Sequence, residues 1–105
     1  MSIYTAAKAA VIGFVRVVAV EAGAAGVTVN SILPGVIATE TVKKKFRTSD
    51  GSIPFLDQLI ERQAIKRSGQ PEDIAHTICF IASPEAAFTT SQMFDIGGGV
   101  TFHYE

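Results

Sequence analysis

Tyr4 and Lys8 are the residues whose types and spacing most directly suggest chemistry. Four positions apart on a helix, their side chains share one face. A phenol titrates at about 10 and is a poor proton donor or acceptor at neutral pH. A neighbouring ammonium stabilises the phenolate and lowers that value. Such a tyrosine can act as a general acid or base near neutrality. Taken alone the pattern is permissive, and a tyrosine packed beside a snorkelling lysine is its commoner origin.

The pair needs a helix, and residues 4–24 supply one. Alanine gives high propensity, and polar residues are few. Ala6, Ala9, Ala10 and Gly13 cluster on one side, while Phe14, Val17 and Val18 fill much of the rest. A helix apolar nearly all round is expected to be buried all round. Glycines at 23 and 26 end it. Residues 27–33, Val-Thr-Val-Asn-Ser-Ile-Leu, read as a strand that Pro34-Gly35 terminates. Ligands of open α/β sheets bind at that end of a strand. Residues 40–67 read as a lid segment, with Val42 and Phe46 helically spaced and a second helix after Pro54. Residues 71–83 form a helix with Pro71 at its start and Glu72 and Asp73 in its first turn. Residues 92–96 give a second strand, followed by Gly97-Gly98-Gly99.

Other reactive side chains carry plainer readings. Cys79 falls on the apolar face of its helix, without an identified activating base, and reads as a core thiol. His76 reads as a solvent-facing or subunit-contact histidine. His103 has no evident metal-binding partners, and no metal site is expected. Lys43-Lys44-Lys45 reads as a solvated face, with steering of an anionic substrate as the lesser reading. Asn30 and Ser31 are expected to satisfy local hydrogen bonds.

Composition narrows the function classes. The chain has 105 residues, 48% hydrophobic and 18% charged, which excludes a disordered tail. Nine Lys+Arg against ten Asp+Glu give a net charge of −1, so no nucleic-acid partner and no membrane surface are expected. One cysteine leaves no disulfide framework and suits a reducing cytoplasmic setting. Lys8, the apolar run Ala9–Val15 and the small residues 22–26 loosely imitate an export signal, but Arg16 interrupts it. The longest uncharged apolar run is far shorter than the ~20 residues that span a bilayer.

The motifs, taken in order, resemble the short-chain dehydrogenase/reductase family. Tyr4-Thr5-Ala6-Ala7-Lys8-Ala9-Ala10-Val11 resembles its active-site helix. Val27 to Thr39, containing Asn30-Ser31-Ile32-Leu33-Pro34-Gly35, resembles its sixth strand and cofactor loop. Arg67-Ser68-Gly69-Gln70-Pro71-Glu72-Asp73-Ile74-Ala75 resembles the start of its penultimate helix. Ile81-Ala82-Ser83 and Gln92 to Gly99 resemble its closing elements. The resemblance implies the C-terminal part of a Rossmann-like, doubly wound parallel α/β sheet over residues 1–105. It implies an oxidoreductase that interconverts carbonyls and alcohols with NAD or NADP. Tyr4 and Lys8 would be catalytic and would also touch the cofactor, Tyr4 exchanging the proton with substrate and Lys8 holding the nicotinamide ribose. Pro34, Gly35, Ile37 and Thr39 would complete the cofactor-binding set.

Departures from the family pattern are specific. The catalytic serine and asparagine and the glycine-rich dinucleotide motif lie upstream of Tyr4 in the family and are not in this sequence. Ser2 is too close to Tyr4 to replace that serine. Gly97-Gly98-Gly99 stands where the family has Asp-Gly-Gly, and Ser91 stands where it has glycine. The isolated chain is therefore expected to be inactive, because half of the apparatus that orients a cofactor is missing. Two classes of function remain. One is an oxidoreductase acting on a small carbonyl or alcohol, including a 3-oxoacyl thioester. The other is a non-catalytic remnant that associates with copies of itself or with family subunits.

Overall fold

The computed structural model describes residues 1–100; His103 lies outside them. The elements in order are α1 (Ser2–Gly23), β1 (Ser31–Pro34), α2 (Glu40–Phe46), α3 (Pro54–Arg62), α4 (Pro71–Ile81), a 3-10 turn (Pro84–Ala86) and β2 (Met93–Ile96). Two compact units divide them. One holds Met1–Ile32 with Ile78–Phe94; the other holds Leu33–Thr77 with the residues from Asp95 onward.

In the first unit, α1 ends in a Schellman motif. Gly26 adopts φ 75°, its N–H donates to the Gly23 carbonyl, and the Val27 N–H donates to the Ala22 carbonyl. Ala19 is the only buried residue of α1. This corrects the expectation of all-round burial: Ile3, Phe14, Val17 and Val20 are exposed. By length and composition α1 is also apolar enough to cross a membrane, a test that core helices of soluble proteins pass too. Lys8 and Arg16 break the uncharged apolar runs of this helix, so run length alone does not reveal that property.

Strand β1 is shorter than the expected 27–33, and the reason is local. Val29 and Asn30 are held by side chains: the Val29 N–H donates to Thr90 Oγ1, Asn30 Nδ2 donates to the Thr89 carbonyl, and the Gln92 N–H donates to Asn30 Oδ1. Regular pairing starts where the Ser31 N–H donates to the Gln92 carbonyl at 2.8 Å. In the second unit the Gly35 N–H donates to Ile96 at 3.1 Å. The same offset along both chains makes the pair parallel. Asn30 thus meets its expected role, whereas the buried Ser31 Oγ has no partner among the described residues.

The second unit contains the lid segment, resolved into α2 and α3. Thr39 caps α2 by accepting from the Val42 N–H at 3.2 Å. Phe46 and Phe55 stack with ring centroids 4.2 Å apart, joining the two helices. Pro71 starts α4, and Asp73 reaches back to the Gln70 N–H, half of a capping box. The end of α4 belongs to the first unit, and there Cys79 is exposed, not in a core; Ile78 and Phe80 beside it are exposed as well. The apolar face is present in the sequence, but no described element covers its C-terminal half. His76 faces solvent, as expected.

Ser91 is the only described non-glycine residue with positive φ, at 60°. A side chain in that region costs roughly 1–2 kcal/mol. Glycine removes the clash but adds freedom to the unfolded chain. Ser91→Gly should therefore raise stability by about 0.5–1 kcal/mol, read as a higher urea midpoint with an unchanged slope; a lower midpoint would contradict the assignment of strain.

Candidate functional site

The sequence-derived site residues fall into both units. Tyr4 and Lys8 lie on α1 in the first; Pro34, Gly35, Ile37 and Thr39 lie in the second. On α1 the helical spacing brings the pair together as expected. Lys8 Nζ sits 5.6 Å from the centroid of the Tyr4 ring, within cation–π range. Tyr4 is 61% exposed, and Lys8 is exposed as well.

The loop after β1 is shaped by close backbone approach. A Cβ on Gly35 would lie 2.7 Å from Gly97 Cα, a distance no side chain tolerates. Beyond it, Ile37 and Gly69 form a parallel bridge, and the Ala38 N–H donates to the Gly69 carbonyl at 2.8 Å. Ile37 accepts from the Thr39 N–H at 2.7 Å. Thr39 also has a structural task, because its hydroxyl oxygen is the cap of α2. That hydroxyl keeps a proton to donate.

Gly35 and Ile37 form part of the wall of a cleft of about 170 Å³. Its other walls include Gln63, Ile65, Arg67 and Gly97, all from the second unit. The cleft is apolar at Ile37 and Ile65 and polar at Gln63 and Arg67. Arg67 forms a two-pronged pair with Asp73, with both N–O distances 2.7 Å. The hydrogen bonds from Arg67, then the Gln70 N–H, hold the Asp73 carboxyl well below the usual carboxylate range. The same pairing raises the Arg67 guanidinium.

Gln63 and the Arg67–Asp73 fork were missed in the sequence. A glutamine at the end of an amphipathic helix carries no mark of its partners. The Arg67…Asp73 spacing brackets Pro71, so a helix start was legible, but not the ion pair that spans it. The Lys43-Lys44-Lys45 run is largely solvated, with Lys43 paired to Glu40 at 2.9 Å.

Beyond α2, Asp50 accepts from Thr48 Oγ1, the Ser52 N–H and Ser52 Oγ. These bonds, that from Thr48 foremost, lower its pKa from 3.8 to about 2. Because the folded value is depressed, the loop's stabilisation is complete above about pH 4 and is lost as pH falls through about 2. A carbon-13 titration of the Asp50 carboxyl should show a midpoint near 2; a midpoint near 4 would show that the three donors are not held in solution.

A family model described as enoyl-(acyl carrier protein) reductase matches residues 1–101. A 3-oxoacyl-[acyl-carrier-protein] reductase of Synechocystis sp. is 42% identical over 98 residues, 92% of this chain and 36% of that protein. An acetoacetyl-CoA reductase of Shinella zoogloeoides is 38% identical over 102 residues, 94% of this chain and 39% of that protein. Among solved structures, a 4-hydroxyisoleucine dehydrogenase complexed with NADH superposes with a TM-score of 0.82 at 35% identity. That match covers 96% of this chain and 40% of that one. The chain thus spans little more than a third of the length of the curated relatives it matches.

Proposed function

The chain belongs to the short-chain dehydrogenase/reductase family, and from that membership we propose that it carries the proton-transfer and nicotinamide-side part of an oxidoreductase interconverting carbonyl and alcohol groups. The observation that carries this reading is the Tyr4–Lys8 pair, on one face of α1, in a chain matched by the family model over residues 1–101. Residues 1–105 are then the C-terminal segment of a Rossmann-like domain. When bound, NAD or NADP supplies or accepts the hydride.

The residues have distinct tasks in this reading. Tyr4 gives a proton to the substrate oxygen during reduction and takes it back during oxidation. Lys8 stabilises the phenolate left behind and binds the nicotinamide ribose hydroxyls. Pro34 turns the chain at the end of β1, and Gly35 and Ile37 present backbone to the nicotinamide ring and its carboxamide. The close Gly35–Gly97 approach and the cleft beside Ile37 suit such a ligand. Thr39 donates its hydroxyl proton to the carboxamide or a phosphate while its oxygen caps α2. The substrate is a small ketone or alcohol, or a 3-oxoacyl thioester of the kind named for the acyl-carrier and CoA reductases above. A cytoplasmic location accords with the single cysteine, and the net charge of −1 accords with neither nucleic acid nor membrane as partner.

A second reading rests on Ile3, Phe14, Val17 and Val20, which α1 leaves exposed. These would join the chain to a second copy or to another family subunit, without catalysis.

The two readings separate experimentally. The isolated chain should neither turn over nor bind NADH or NADPH saturably at micromolar concentration; such binding by a monodisperse monomer would contradict this. Reconstituted with the N-terminal two thirds of a relative, it should reduce a 3-oxoacyl thioester or simple ketone. Tyr4→Phe should then lower kcat by about 10²–10⁴-fold with little change in cofactor affinity. Association without any turnover would favour the second reading.

A further inference from the structure

The strongest unassigned group in the second unit is a buried amide. Gln63 is 5% exposed, one of two buried polar residues among those described. Its backbone N–H closes α3 by donating to Leu59 and Ile60. Its side chain turns back on the chain that follows. Nε2 donates to the Ile65 carbonyl at 3.0 Å and to the Arg67 carbonyl at 2.8 Å. Two carbonyl oxygens facing one atom require nitrogen there and use both of its protons.

The turn that Gln63 closes is gripped on two further sides. The Ile65 N–H donates to the Gly98 carbonyl at 3.0 Å. Gly98 and Gly99, with φ 64° and 85°, lie so near that a Cβ on them would meet Gln63 Nε2 at 3.2 Å and Ala64 Cβ at 2.8 Å. Two residues past Arg67, Gly69 bridges to Ile37 and accepts from Ala38. A Cβ on Gly69 would lie 2.8 Å from Ile37 Cδ1, the movable tip of that side chain, and 3.4 Å from the Val36 carbonyl oxygen.

We propose that Gln63 is a positioning residue: by clamping the 65–67 turn it fixes Gly69, and through Gly69 it fixes the backbone of Ile37 and Ala38. The inference rests on the reading of residues 34–39 as the nicotinamide loop. It gives the glycine run 97–99 a task as well, as the seat against which the clamp closes. The lid segment is then held at both ends, by the Thr39 cap and by Gln63. Between them, residues 47–53 are held by the Asp50 network, and the Phe46–Phe55 stack bridges that turn.

Native-state hydrogen exchange on the full chain, without cofactor, tests this. In Gln63→Leu the protection of the Ile65 and Ala38 amides should fall about tenfold or more, while the Ser31 amide keeps its protection. Gln63→Glu should behave the same way at neutral pH, with a carboxylate placed against two carbonyls. Burial and the two carbonyl oxygens hold that acid above the usual carboxylate range, so as pH falls below neutral it regains an O–H donor and Ala38 protection should recover part way. Ala38 unchanged, Ser31 and Ala38 falling together, or a Gln63→Glu variant indifferent to pH would each overturn the proposal. Because no cofactor is present, failure here is distinct from failure of the nicotinamide reading, which the reconstitution assay reports.

Discussion

The second unit is organised around one backbone contact. Gly35 and Gly97, just past β1 and β2, approach so closely that a Cβ on Gly35 would strike Gly97 Cα. Parallel pairing brings the strands to that point, and the absence of a side chain on Gly35 lets them meet there. The Pro34 turn, the cleft wall and the bridge from Ile37 to Gly69 all follow from it. A methyl group on Gly35 would push apart the loop that carries the candidate binding residues. Overpacking of this sort costs roughly 1–3 kcal/mol elsewhere in proteins, and here the displaced atoms would be backbone.

Much of the architecture was legible because it is local. The alanine-rich helix, the Pro34-Gly35 turn, the two lid helices and the Pro71 start of α4 each follow from residue types at short range. The Tyr4–Lys8 contact needed only the helical period. Boundaries were less legible where side chains compete with the ladder. Asn30 and Thr90 take over the backbone groups of Val29 and neighbouring residues, so β1 starts four residues later than β-propensity suggests. Ser91 could be flagged only as a departure from a glycine; its φ of 60° shows why glycine suits the position.

Burial was the least legible property, because it depends on partners and not on period. The apolar faces of α1 and of the end of α4 exist as patterns, yet Val20, Cys79 and Phe80 are exposed. Hydrophobic patterning reports what a surface was made to meet, and the chain spans little more than a third of the length of the curated relatives it matches. The same logic explains the opposite miss at Gln63. A polar residue at a helix end gave no cue to burial, and only the fold places two carbonyls against its amide.

In the proposed function, residues 34–39, held by the glycine contact, receive the nicotinamide half of a dinucleotide. Amide chemical-shift mapping of the chain with reduced nicotinamide mononucleotide, set against adenosine monophosphate, tests it most directly. Weak, millimolar-range shifts are expected at Gly35, Ile37, Ala38 and Thr39 with the nicotinamide nucleotide and none there with the adenine nucleotide. Equal shifts with both nucleotides, or shifts confined to residues outside this loop, would contradict it.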